Sequence, residues 1–314
     1  MSGESRGTVL LALAANVSVG AAKFVGAALT GSAALFSEGA QSVSDTLNEL
    51  FLLTSLSRSG RPADARHPFG YGMERFFWSL LAAVGIFVGG AGFSGLEAYR
   101  AFVSHSAPGP RYYLIAYACL GFVLLAEGSS WVRAVRQVRR EAAAAERSVF
   151  EHIRMSSDPS VKTVAGEDSV AVVGVLVAGA GIGLHQATGA GWWEGVASAV
   201  IAALLIVTAV LLGRDVKDLL IGEAVDPKLR KQLHDFLSGH PAIDDVVDLR
   251  TMRIGAEQVL LAARVDMNSQ LDSDGIEWAS SEVDRKINER WPEVTDVFLD
   301  ATRTAENVRS NRQL

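Results

Sequence analysis

Residues 37 to 53 read SEGAQSVSDTLNELFLL, a polar run inside an apolar neighbourhood. Glu38, Gln41, Asp45, Asn48 and Glu49 follow one another at steps of three, four, three and one. On a helix these steps make a single polar stripe that carries three carboxylates. A second acidic pair, Glu167 and Asp168, directly precedes the apolar run SVAVVGVLVAG. Carboxylates from two helices, brought together by packing, form an oxygen site for a divalent cation, and Asp45 with Asp168 supplies the two negative charges that neutralise one such ion. Asn16 and Lys23 lie seven residues apart on one face of the preceding segment, where they can pair with these acids or shape the path. Glu127 is a further acid in an apolar run, and Lys23 and Glu127 are expected in interhelical ion pairs before any ligating role. For Glu38 and Glu49 a plainer reading stays open, in which they sit at helix ends and reach water.

The rest of the chain must position these groups. It has 314 residues, 49% of them hydrophobic, with a net charge of -6 and a mean hydropathy above zero. The acidic balance gives no case for nucleic-acid binding. The single cysteine, Cys119, lies in an apolar run and excludes a disulfide framework. The start MSGESRG lacks the pattern of a cleaved signal, so the first apolar segment is expected to be retained. No phosphate-cradling G-x-x-x-x-G-K-[ST] loop and no Ser/His/Asp arrangement stands out, which argues against ATP drive and against an enzyme.

A membrane-spanning helix needs about 20 mostly apolar residues. Six segments qualify, roughly 8–29, 32–56, 76–103, 111–135, 163–187 and 191–213. So many long apolar runs in succession, without comparable polar faces, disfavour a soluble core. The links GAALTGSAAL and HQATGAGWW suit tight hairpins. Arg58, Arg61, Arg66 and His67 lie in the second link, and Arg136, Arg139, Arg140, Arg147 and Arg154 in the fourth. The first and fifth links hold no Lys or Arg, and the third, with Arg100 and Arg111, dilutes the bias without reversing it. The positive-inside rule then puts both termini on the cytoplasmic side.

From residue 214 the chain reads as a soluble domain. DPKLRKQLHDFLSGHP predicts a helix capped by Asp226, with Pro227 in its first turn and Gly239–Pro241 as its stop. IDDVVDLRTMRIG and EQVLLAARVDM predict a strand pair joined near Ile254–Gly255. A helix with apolar residues at 276, 283 and 287 follows, then a last strand, VTDVFLDA. This order suits a small α+β sandwich. His234 and His240 read as solvent-facing residues in and after the surface helix.

The motifs together resemble the cation diffusion facilitator family, divalent-metal/proton antiporters, over essentially the whole chain. ANVSVGAAKFVGAALTGSAALFSEG resembles the family's Asn, later Lys, and Gly-Ser-x-Ala-Leu. RPADARHPFGYGMERF resembles its most recognisable loop, Asp-x-x-His before Pro-Phe-Gly-Tyr-Gly. The resemblance implies an α-helical membrane protein: six transmembrane helices over residues 1–213 and a cytoplasmic ferredoxin-like dimerisation domain over 214–303. Residues 304–314 are expected to form a disordered tail. It also implies a homodimer in membrane lipid that exchanges a divalent metal for protons by alternating access, most simply in a bacterial plasma membrane.

Departures from the family pattern shape the expected site. Where the family commonly has His or Asp, three residues and Asp, this chain has Gln41 and Asp45; where it has His, three residues and Asp, this chain has Val164 and Asp168. The Glu167–Asp168 pair and Arg75 resemble a divergent branch. In the loop, Asp64 and His67 match metal positions but the third position is Tyr71. In the tail, Val246-Val247-Asp248-Leu249-Arg250 and Phe298-Leu299-Asp300-Ala301 lack the family's histidines. The expected ligands are therefore Asp45, Asp168 and Gln41, supplemented by Glu49, Glu167, Asp64 and His67. No resident cofactor is implied. The cargo is expected to be Zn(II), or the similar ions Mn, Fe or Co. Two alternatives are a transport-inactive scaffold or regulatory dimer, and a channel that does not move protons.

Overall fold

The computed structural model describes residues 3–103, 112–144 and 159–302. They fall into two compact units, one made of Met1–Leu53 with Ser79–Arg214 and the other of Thr54–Trp78 with Asp215–Leu314. The expected disordered tail, and the part of the fourth link that holds Arg147 and Arg154, lie outside the described residues.

Six long helices build the first unit: α1 (Gly3–Thr30), α2 (Ala33–Ser59), a third span of three segments, α5 (Tyr112–Ala144), α6 (Pro159–Thr188) and α7 (Trp192–Leu220). The third span runs through α3 (Glu74–Gly85), a π-helical stretch (Ile86–Ala91) and α4 (Gly92–Val103). Among the described residues four stretches are long and apolar enough to cross a membrane: Glu74–Val103, Tyr112–Arg140, Asp168–Thr188 and Trp192–Leu220. In α2 the polar stripe dilutes the apolar content. Helices α5 and α7 outlast the apolar runs that predicted them, continuing through Arg136–Arg140 and Arg214–Asp218. Loss of apolarity ends burial in lipid, but Arg and Lys are good helix formers and do not end the helix.

The two tight hairpins form at glycines. Gly31 (φ 74°) and Gly189 (φ 71°) take the left-handed conformation, and their N–H groups donate to the Ala27 and His185 carbonyls at 2.6 and 2.8 Å. That is the usual glycine stop of a helix. Inside the unit, Ala27, Leu35, Ala116, Val123, Ala178 and Ile182 share one buried cluster. Large apolar side chains point outward, Leu114 and Leu125 being 75% and 76% exposed. An apolar exterior over a small-residue interior is what lipid selects, because helices there associate by close packing.

The second unit contains α8 (Pro227–Ser238), β1 (Ile243–Gly255), β2 (Gln258–Met267), α9 (Ser273–Arg290) and β3 (Val294–Ala301). Asp226 caps α8, accepting from the Lys228 N–H at 2.8 Å, and Gly239 closes it. The sheet order is β1-β2-β3. β1 and β2 pair antiparallel with Leu249 opposite Ala263, and β2 and β3 pair parallel with Leu261 opposite Val297. A parallel pair needs a crossover, and α9 supplies it. Alternate residues Val259, Leu261, Ala263 and Val265 face Leu233 and Leu237 of α8 and Val283 and Ile287 of α9 in one core.

One finding differs from the sequence expectation. His240 is buried, its Nδ1 accepting from the Ala242 N–H at 3.3 Å and its Nε2 lying 3.4 Å from Glu282. The stop after α8 turns the chain back over the core and carries His240 with it, whereas His234 stays exposed. The segment 54–78, which holds the α2–α3 link, groups with the sheet: the Phe69 ring meets Phe298 edge-on at 6.2 Å. A Cβ built on Gly72 would lie 2.5 Å from the Ile254 carbonyl oxygen, so only glycine fits there.

Candidate cation site

The stripe on α2 turns into the bundle. Glu38 and Gln41 are 0% and 2% exposed, and Asp45, Asn48 and Glu49 are half-buried. Glu38 therefore does not reach water. Glu49 accepts from the Asn16 side-chain amide of α1 at 2.9 Å.

Lys23 of α1 neutralises the buried end of the stripe. Its Nζ lies 2.9 Å from Glu38 Oε2 and 2.8 Å from Glu127 Oε1 of α5, and the Lys23 side chain is wholly buried. Charges out of water persist only when paired. This triad is thus an interhelical brace.

Helix α6 meets the stripe at Gly174, where a Cβ would lie 2.5 Å from Glu38 Oε1 and 2.9 Å from Gln41 Oε1. Only the missing side chain lets these oxygens approach. Among the described residues, nothing donates to Gln41 Oε1. Asp168 lies on the same inward-facing stripe of α6 as Ala171, Val175, Ala178 and Ile182. It accepts from Ser130 Oγ at 3.4 Å and lies within Coulombic reach of Glu127 and Arg133.

The two helices run antiparallel, because Ser32 before α2 bonds Glu194 next to the α6 terminus. From the Gln41–Gly174 contact, Asp45 lies four residues along α2 and Asp168 six residues along α6, toward the same end. At 1.5 Å of rise per residue the descents are about 6 and 9 Å, so the two carboxylates differ by roughly 3 Å in depth. Across the π-helical stretch, a Cβ on Gly90 would lie 2.5 Å from Ser44 Oγ, beside Asp45. Single turns of π-helix often mark functional positions.

The remaining expected ligands are elsewhere or outside view. The Glu167 and Val164 side chains lie outside the described residues. In the 54–78 link, Asp64 accepts from the backbone N–H groups of Arg66 and His67, both at 2.8 Å, and from the Tyr71 hydroxyl at 2.7 Å. Tyr71 first, then the His67 N–H, holds the Asp64 carboxyl down at about 2. Asp64 is therefore ionised at any physiological pH, but its oxygens already organise the loop. His67 Nδ1 lies 3.5 Å away. Among the described residues no three His, Cys, Asp or Glu side chains are grouped as metal ligands.

Sequence reasoning missed one cluster. Glu194 of α7 collects Ser32, Tyr112 and His185 at the opposite end of the unit. The signal was available, since both His185 and Glu194 interrupt apolar runs, but each reads as an ordinary helix-end polar residue.

Comparison with known proteins identifies the family. The model of the cation efflux transmembrane domain matches residues 9–221. The proton-coupled zinc antiporter SLC30A9, mitochondrial, of Homo sapiens is 32% identical over 250 residues, 79% of this chain and 44% of that protein. Metal tolerance protein C4 of Arabidopsis thaliana is 32% identical over 268 residues, 85% of this chain and 58% of that protein. Manganese efflux system protein MneP of Bacillus subtilis is 24% identical over 305 residues, 94% and 95% of the two chains. The chain spans less than half the length of the SLC30A9 relatives. With the matched domain covering well over half of its residues, the chain belongs to the cation efflux family, whose members are membrane transporters and not enzymes.

Proposed function

We propose that the protein exports a divalent metal cation from the cytoplasm in exchange for protons, by alternating access. The observation that carries this reading is the α2–α6 contact at Gly174, with an unpartnered Gln41 oxygen and with Asp45 and Asp168 at similar depth on facing stripes. Asp45 and Asp168 would bind the ion, Gln41 would add a carbonyl oxygen, and Glu49 and Glu167 would tune the site. Protons compete for the same carboxylate oxygens, so metal release on one side and proton uptake are a single exchange. Relatives named as a proton-coupled zinc antiporter and a manganese efflux protein support both the cargo class and the coupling. The arginines around α2–α3 and α5–α6 support cytoplasmic termini, and a bacterial plasma membrane is the simplest host.

The test is transport by purified protein in proteoliposomes that report internal pH. Addition of Zn(II), Mn(II), Fe(II) or Co(II) should drive proton movement that saturates with metal. If none does and no metal crosses, the protein is a scaffold, a reading favoured by the absence of a grouped ligand set among the described residues; metal that crosses without protons makes it a channel.

Zn(II) is the leading cargo, with a preference broadened toward Mn(II). Tetrahedral nitrogen and sulfur sites favour zinc and oxygen sites favour harder ions, and Gln41 and Val164 stand where the family pattern has histidine. Gln41→His with Val164→His should raise the Zn(II)/Mn(II) ratio in competition flux by about tenfold, the effect of roughly 1.4 kcal/mol. A wild type that already excludes Mn(II) as strictly as the double variant would refute this.

We assign homodimerisation to the 214–303 domain, through its exposed sheet and helix faces. Because Val247 and Phe298 replace the family's tail histidines, the dimer should persist when metal is removed. Size analysis in detergent with a strong chelator checks it; a clean shift to monomer contradicts the assignment.

A further inference from the structure

One buried titratable cluster takes no part in the cation site. Glu194 accepts from Ser32 Oγ at 2.5 Å and from the Tyr112 hydroxyl, and its Oε1 lies 2.6 Å from His185 Nδ1. Glu194 and His185 are 3% and 6% exposed. An anionic Glu194 would accept all three bonds, with the His185 proton on Nδ1 and Nε2 left to take another. His185 Nε2 faces the α6–α7 link, 3.7 Å from a Cβ built on Gly191.

Among the described residues, the rings beside the imidazole come from α5, and α4 packs nearby on α7. The Tyr112 and Tyr113 rings lie 5.8 and 5.9 Å from it, centre to centre. Helix α4 packs on α7 at Gly195, and its Glu97 and Arg100 are paired with each other at 2.6 Å. With neutral His185 the Glu194 cluster carries one net negative charge. A proton arriving at Nε2 makes imidazolium and brings that charge to zero. The cluster ties together four places in the chain: the α1–α2 turn, the start of α5, the end of α6 and the start of α7. Asp168 lies seventeen residues before His185 on α6, about 25 Å along the axis.

We propose that His185 and Glu194 form a second proton-exchange site, at the end of the helical unit opposite Asp45 and Asp168, and that proton occupancy there governs how firmly the four helix ends are held together. A buried net charge is costly and favours opening to water, whereas the neutral pair favours the closed, dry arrangement. In a metal/proton antiporter this places a proton-responsive closure on the side where the ion leaves or protons enter. That part of the inference rests on the proposed function; proton binding at His185 does not.

The experiment uses the full-length protein, labelled at histidine with carbon-13 and nitrogen-15, in nanodiscs. The His185 signals are identified by their loss in His185→Gln, which keeps an amide donor for Glu194 but cannot take up a proton. The His185 signals should pass through one protonation step as pH is varied. Glu194→Gln should displace its midpoint by about half a pH unit or more. In proteoliposomes with pH set separately on each face, His185→Gln should remove the pH dependence of metal flux on one face and keep it on the other. A His185 that holds one protonation state throughout overturns the proposal, as does a His185→Gln carrier with unchanged pH dependence on both faces. If wild type carries no metal while His185 still titrates with a midpoint set by Glu194, antiport fails and the proton site stands.

Discussion

Asp168→Asn, and separately Asp45→Asn, should abolish metal-driven proton movement in proteoliposomes, with a fall of about a hundredfold or more. Asparagine keeps the size of the side chain and still accepts from a donor such as Ser130. What it removes is one negative charge and the oxygen for which protons and metal compete. Two unit charges about 4 Å apart interact by roughly 4 kcal/mol at an effective dielectric constant near 20. Loss of even half of that from a divalent ion's site weakens binding by more than tenfold, and loss of the titrating oxygen removes the exchange itself. Both variants should still reach the membrane and fold, because neither leaves a new buried charge. Full proton-coupled flux in Asp168→Asn would refute the carboxylate mechanism. Flux that is lost for protons but kept for metal would instead make Asp168 the coupling group and Asp45 the principal ligand.

Local signals were legible in the sequence, and convergent ones were not. Helix α8 was readable in full because Asp226, Pro227 and Gly239 act within a few residues of where they stand. The stripe Glu38–Gln41–Asp45 was readable because helical periodicity alone puts these residues on one side. Which partner each acid takes was not, since Lys23, Glu38 and Glu127 meet only after three helices pack. Gly174 looked like one more small residue in an apolar run, yet its missing Cβ sets the approach of α2 to α6. His240 and His185 were misjudged or passed over for the same reason. Burial of a polar residue next to a helix end depends on where the following segment returns, and no local pattern reports that.

Lys23→Met should be the most destabilising single change in the helical unit. The Lys23 ammonium lies within 3 Å of two carboxylates, and its loss strands Glu38 and Glu127 together in a buried site. Breaking a buried pair by removing one partner typically costs about 3–5 kcal/mol, because the remaining charge is uncompensated. In detergent this should appear as a lower melting temperature and a lower folded yield, before any transport is measured. Replacing the whole triad is different, since a neutral, well-packed substitute for a buried ion cluster is often tolerated. The triple variant Lys23→Met, Glu38→Gln, Glu127→Gln should therefore recover most of the lost stability. If Lys23→Met alone melts like the wild type, the three groups do not act as one charged brace. If the triple variant is no better than the single one, the loss comes from packing of the lysine stem and not from stranded charge. A recovered triple variant also permits a direct functional reading. Asp45 and Asp168 would then stand in the bundle without the neighbouring ammonium, and metal-driven proton movement in that background would show that Lys23 holds the site together without entering the exchange.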